Sequence, residues 1–208
     1  MKGVQSAWLE VETKVKINNV AALRKKIKKI ARHEKTESRG DDYFTLQKKG
    51  YPKKAFRIRD DGKKLVVNFK KHLKNLYSDG IVVKQEYEFQ LKDRKQVGNF
   101  LSLLEDFGFK EWVKKRKHTE GYLYKKDKKL IIEINKVEHV GSYMEIEYLA
   151  KCNQVPKAKK KILQALKELE ILPKDIDNIG YTRRLYEKKS IGKEYFLKVP
   201  KVKPCNIK

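Results

Sequence analysis

Between Trp8 and Ile17 the chain alternates strictly. Leu9, Val11, Val15 and Ile17 take one parity, and Trp8, Glu10, Glu12, Lys14 and Lys16 take the other. That period of two predicts a strand over residues 4–17 with one apolar and one charged face. After Asn18-Asn19, a suitable N-cap, the period changes. Val20, Leu23, Ile27 and Ile30 recur at helical spacing, so residues 19–32 are expected to form an amphipathic helix whose other face is a row of lysines. Residues 33–40 are polar, end in Gly40 and are expected to be a loop. Strands are expected at 41–48, 54–60, 63–72 and 81–91, with Asp61-Gly62 as a tight hairpin and Ser78-Asp79-Gly80 as a turn. A second helix is expected over 93–107, stopped by Gly108; then a hairpin of 111–125 and 128–137, a strand at 142–150, and a third helix that opens at Pro156 and closes before Pro173.

In strand after strand the apolar residues share one parity and the charged residues the other. Phe56 and Ile58 oppose Arg57 and Arg59; Leu65, Val67 and Phe69 oppose Lys64, Asn68 and Lys70. Val83, Tyr87 and Phe89 oppose Lys84, Glu86 and Glu88. Leu130, Ile132 and Ile134 oppose Glu133 and Asn135, while Met144, Ile146 and Tyr148 oppose Glu145 and Glu147. Strand 111–118 carries Lys114 and Arg116 on one parity, but its other parity (Val113, Lys115, Lys117) is mixed. Two architectures satisfy this pattern. One is an open antiparallel sheet with its charged face in water; the other is a closed barrel with helices outside and charges inside. Alternation alone does not choose between them. Buried charge must be paired, hydrogen-bonded or bound to metal, so a charged interior would be built around a polyanion and divalent cations.

Composition narrows the class. The 208 residues include 52 Lys+Arg against 27 Asp+Glu, a net charge of +25 that attracts acidic partners. With 8 Phe, 11 Tyr and 2 Trp the chain can still bury a core. Cys152 and Cys205 are the only cysteines, which excludes a disulfide framework and points to a reducing, cytoplasmic compartment. The N-terminal stretch has no apolar core of a signal peptide, and no run is long enough to span a bilayer, so no membrane partner is expected. His33, His72, His118 and His139 lack ligand spacing, and no phosphate-cradling P-loop is present.

The order of the charged strands carries a resemblance. Glu10-x-Glu12-x-Lys14 is the ExExK signature of the CYTH superfamily, the triphosphate tunnel metalloenzymes. Asp42-Tyr43-Phe44 resembles its D-x-YF strand, Phe56-Arg57-Ile58-Arg59 its LRIR strand, and Asn68-Phe69-Lys70 stands where the family has T-x-K. Lys84-x-Glu86-x-Glu88 resembles R-x-E-x-E, and Lys114-x-Arg116 resembles K-x-R. The run from Val137 to Glu147 resembles V-E-x-L-G-x-F-x-E-I-E. The later motifs look most like the class IV adenylyl cyclase branch. Two departures stand out. Asn135 replaces the family's aspartate, and the C-terminal S-Y-x-E-L-L motif survives only as the altered run from Gly180 to Leu185.

The resemblance implies an α+β fold, an eight-stranded closed antiparallel barrel with helices outside, over residues 1–187, followed by a basic tail at 188–208. It implies Mg²⁺ or Mn²⁺ held by Glu10, Glu12, Glu145 and Glu147, with Glu133 or Asn135 assisting; a neutral amide there weakens a second metal site. Phosphate contacts would come from Lys14, Arg57, Arg59, Lys70, Lys84, Lys114 and Arg116, with catalytic roles for Lys14 and Arg116. Glu86 and Glu88 would ligate metal or hold lysines. The implied activity is conversion of ATP to cyclic AMP and pyrophosphate. The alternatives are hydrolysis of tripolyphosphate, thiamine triphosphate or RNA 5′-triphosphate, and a non-catalytic RNA-binding barrel. The charge excess outside the tunnel (helix 19–32, Lys157–Lys161, the tail) is read as a solvated surface or as a surface that holds RNA. Cyclase-like relatives imply a homodimer as one assembly.

Overall fold

The computed structural model describes residues 8–47, 49–60 and 65–189. Eight strands close into a barrel in the order β1-β5-β4-β3-β2-β6-β7-β8. They are β1 (Leu9–Lys16), β2 (Ala31–Thr45), β3 (Phe56–Asp60), β4 (Leu65–His72), β5 (Val82–Leu91), β6 (Lys110–Tyr124), β7 (Leu130–Val137) and β8 (Gly141–Ala150). The helices are α1 (Val20–Ile30), α2 (Arg94–Asp106), α3 (Val155–Glu168) and a short α4 (Tyr181–Glu187). The closed barrel with helices outside is the architecture expected, and closure decides what alternation left open. No helix among the described residues is long and apolar enough to cross a membrane.

The helices begin where the chain supplies a cap. Asn19 Oδ1 accepts from Ala22 N at 3.0 Å at the start of α1, and Asp93 Oδ1 accepts from Gln96 N at 2.8 Å at the start of α2. Gly108, with φ +80°, follows α2 in the left-handed region that favours glycine. Pro156 sits in the first turn of α3.

One expectation is corrected. Residues 33–40 are not a loop: they belong to β2, whose 15 residues run unbroken from the end of α1. The first part of β2 is polar on both faces, so no apolar alternation marks it. The Asp61-Gly62 hairpin and nearly all of the 188–208 tail lie outside the described residues.

Two compact units make up the chain. The first takes residues up to Ser38, Lys70–Glu86 and Lys117–Gly180; the second takes Arg39–Phe69, Tyr87–Arg116 and the residues from Tyr181 on. In the first, Leu9, Val11 and Val15 of β1, with Ile132, Ile134, Met144 and Ile146, pack under Leu23 and Ile27 of α1 and Ala158, Ile162 and Ala165 of α3. In the second, Phe44, Ile58 and Val67 pack under Val97, Leu101 and Leu104 of α2. Burying one apolar face of each strand beneath helices commits the other parity of that strand to the barrel interior.

Candidate functional site

In the first unit, β1 aims Glu10, Glu12 and Lys14 away from the helix-covered core. The β1–β8 register sets Glu12 opposite Glu147 and Lys14 opposite Glu145. The β1–β5 register sets Glu10 opposite Lys84. As a result Glu10, Glu12 and Glu147 converge, each offering a carboxylate oxygen within 4.8 Å of the others.

Cations surround these carboxylates. Lys70 Nζ donates to both oxygens of Glu10, at 2.7 and 2.6 Å, and lies 2.6 Å from Glu86 Oε1. Lys84 donates to Glu12. Burial alone would push Glu10 up, but Lys70 and Lys84 hold it below the usual carboxylate range. Burial and the neighbouring Glu10 charge push Glu12 up, and push Glu147 well above that range. Two carboxylates that resist ionisation beside a third are short of positive charge. All six donor atoms are oxygens, the ligands hard divalent ions prefer, so these residues fit Mg²⁺ or Mn²⁺.

Lys14 is held from the other side. Its Nζ donates to Ile179 O and lies 5.5 Å from the centre of the Tyr143 ring. Burial lowers its pKa to about 8, against the pull of Glu145 and Glu12.

Glu133 and Glu145 face each other across the β7–β8 ladder. Lys117 Nζ donates to Glu133 Oε2 at 3.0 Å and to Glu145 Oε2 at 3.4 Å. Asn135 Nδ2 donates to the same two oxygens, at 3.3 and 2.7 Å.

In the second unit Asp41 is fully buried and gathers three cations. Arg59 donates to it at 2.7 and 3.2 Å, Arg57 at 3.4 Å, and Lys115 Nζ lies 2.8 Å away. Against its burial, Lys115, Arg57 and Arg59 hold Asp41 well below the carboxylate range. Lys115 also donates to Tyr43 Oη at 3.2 Å. Glu88 accepts from Asn68 at 3.2 Å.

Strand β6 departs from the expected parity. Lys115 and Lys117, not Lys114 and Arg116, reach the carboxylates Asp41, Glu133 and Glu145. Lys114 pairs with Glu111 at 3.3 Å and Arg116 is exposed. The reason is the anchoring of the strand further along. Tyr122 and Tyr124 are buried in the core beneath the helices, and Glu120 pairs with Arg24 of α1 at 2.6 Å. Counting back in twos from those residues puts 118, 116 and 114 on their face and 119, 117 and 115 on the other. Lys115, Lys117 and Thr119 were therefore missed, although that count was available in the sequence; Asp41, on β2, was missed as well.

A family model described as the CYTH domain matches residues 9–181. No protein of curated function matches the sequence. Among solved structures, the PH1819 protein from Pyrococcus horikoshii OT3 is similar at a TM-score of 0.70 and 26% identity, over 86% of this chain and 99% of that one. The PH1012 protein of the same organism follows at 0.67 and 24%, over 83% and 96%. HpAC1 from Hippeastrum, described as an adenylyl cyclase candidate with a dominant triphosphatase activity, is similar at 0.59 and 20%, over 91% and 99%. Motif order, barrel closure, a buried acidic cluster on β1 and β8, and a family match over most of the chain agree: this protein belongs to the CYTH family.

Proposed function

We propose that this chain is a divalent-metal-dependent enzyme that hydrolyses a triphosphate-bearing substrate. The observation that carries the reading is the convergence of Glu10, Glu12 and Glu147 among Lys14, Lys70 and Lys84. Glu10, Glu12 and Glu147 would hold Mg²⁺ or Mn²⁺, which when bound supplies a Lewis acid for phosphate oxygens. Lys70 and Lys84, paired here with Glu10 and Glu12, would turn their ammonium groups to the triphosphate when those carboxylates serve as ligands. Lys14, anchored by Ile179 O, offers a third ammonium from the same strand as the metal ligands. Water attacks the terminal phosphorus, the bond from that phosphorus to the bridging oxygen breaks, and the shortened phosphate leaves on that oxygen. The water's proton passes to the phosphate products or to solvent, and the lysines neutralise charge that builds on the equatorial and leaving oxygens. Arg57 and Arg59, with the fork geometry suited to phosphate, are proposed as further phosphate contacts, joined by Lys115.

Hydrolysis asks only for a clamp on phosphate and metal, and carboxylates with ammonium groups provide that. Cyclisation also demands a seat that holds the ribose 3′-hydroxyl at the α-phosphorus. The cyclase reading is kept as second because the ExExK strand and the Val137–Glu147 segment resemble that branch. The dominant triphosphatase activity described for HpAC1, a protein of similar fold, supports putting hydrolysis first.

The test is a product assay with tripolyphosphate, ATP, thiamine triphosphate and RNA bearing a 5′-triphosphate, each with Mg²⁺ or Mn²⁺. Orthophosphate release that chelation and Glu12→Gln abolish is the expected result. Cyclic AMP with pyrophosphate would replace hydrolase by cyclase. Turnover of none of the substrates would reject an enzyme and leave a basic binding module.

A further inference from the structure

We propose that Lys117 is a built-in cation standing where a second divalent ion would be held, so that the protein by itself binds a single divalent ion at Glu10, Glu12 and Glu147. This rests on the metal-dependent reading above and goes on to fix its stoichiometry. Glu133 and Glu145 are directly opposed on neighbouring strands, Glu133 buried and Glu145 half-buried, and two like charges in that position call for a cation between them. The cation is present. Lys117 is 5% exposed, and its ammonium reaches one oxygen of each carboxylate, at 3.0 and 3.4 Å.

Asn135 completes the arrangement as a donor, not as a metal ligand. Its Nδ2 directs hydrogens at Glu145 Oε2 (2.7 Å) and Glu133 Oε2 (3.3 Å), the same oxygens that face Lys117. The amide is held in that sense by Thr119, whose hydroxyl donates to Asn135 Oδ1 at 2.7 Å. Thr119 and Asn135 are both fully buried and paired in register across β6 and β7. Turning the amide over would set Oδ1 against two carboxylate oxygens and give up both of its bonds to them. An aspartate at 135 would bring three carboxylates together and call for a doubly charged ion. With an amide, one ammonium and two N–H bonds satisfy the remaining pair. The ammonium is part of the chain and cannot be stripped by a chelator.

The experiment is Mn²⁺ titration of the purified full-length chain without substrate, reading free Mn²⁺ by electron paramagnetic resonance. One ion per chain is expected for the wild type, none for Glu147→Gln, and still one for Glu133→Gln. Lys117→Met, which removes the ammonium from between Glu133 and Glu145, is expected to bind two. Two ions on the wild type, loss of the ion in Glu133→Gln, or a single ion in a folded Lys117→Met would overturn the inference and leave the metal-dependent reading intact. No ion on the wild type would overturn both. If Lys117→Met does not fold, the wild-type and Glu133→Gln counts decide alone.

Discussion

Lys70 holds both oxygens of Glu10, at 2.7 and 2.6 Å, from a strand that is not its hydrogen-bonded neighbour. The ion pair bridges across β5, which lies between them in the barrel order. In the proposed enzyme this lysine competes with the metal for Glu10 before it serves the substrate. Lys70→Met should therefore tighten Mn²⁺ binding, by about tenfold for the loss of one charge-assisted pair. The same change should raise KM for tripolyphosphate. Opposite shifts in the two constants are the signature; a loss of both would mean that Lys70 only supports the fold.

Glu147 illustrates the cost of gathering like charges. Burial and the neighbouring Glu10 charge push its pKa well above the usual range, so ionising Glu147 is unfavourable in the metal-free protein. Glu147→Gln should abolish metal-dependent turnover and yet melt no lower than the wild type without metal. The rise in Tm that Mn²⁺ gives the wild type should be absent from the variant. Thermal scans with and without Mn²⁺ read both effects; a wild-type-sized Mn²⁺ shift in Glu147→Gln would exclude this residue as a ligand.

Most of the barrel was legible because its strands bury one face under helices, and such strands alternate cleanly. Glu10, Glu12, Glu145 and Glu147 stood out against Val11, Met144 and Ile146, and all lie opposite the helix-covered core. The pattern failed where both faces of a strand are polar. Residues 33–40 of β2 have no apolar parity, so nothing in them distinguishes a strand from a loop. In β6 lysines occupy both parities from 114 to 117, and the interior face is set by Tyr122, Tyr124 and Glu120 several residues later. Asp41 went unassigned beside Asp42 because adjacent aspartates differ only in parity, and the β2–β3 register is what sets Asp41 opposite Arg59.

Asp41 makes the acid limit of the fold testable. Its pKa lies well below the usual 3.8, so the sign follows directly: its contribution to stability is complete above about pH 4 and is lost as pH falls through its lower folded value. Asp41→Asn leaves Arg57, Arg59 and Lys115 without their shared anion and should cost about 3 kcal/mol, or about 8 °C in Tm. The gap in Tm between wild type and variant should be constant from about pH 5 to 8 and should narrow below about pH 4. A gap that does not change with pH would mean that packing, not charge, is lost.

Gly80 supports the segment that anchors Lys14. Its carbonyl accepts from Thr13 Oγ1 at 2.8 Å and from Asn178 Nδ2 at 2.7 Å. Asn178 in turn accepts from Lys14 N at 2.8 Å, while Ile176 bridges to Val15. The residue has φ +70°, and a Cβ there would sit 2.6 Å from Ile176 Cδ1. Left-handed backbone costs a non-glycine residue roughly 1–2 kcal/mol, and displacing Ile176 adds to it. Gly80→Ala should lower Tm by about 6 °C. Because Ile179 O is held in the same segment, KM for tripolyphosphate should rise in the variant while Mn²⁺ affinity at Glu10, Glu12 and Glu147 stays near the wild-type value. Equal losses of metal and substrate binding would show that the strain spreads along β1 and is not confined to the Lys14 anchor.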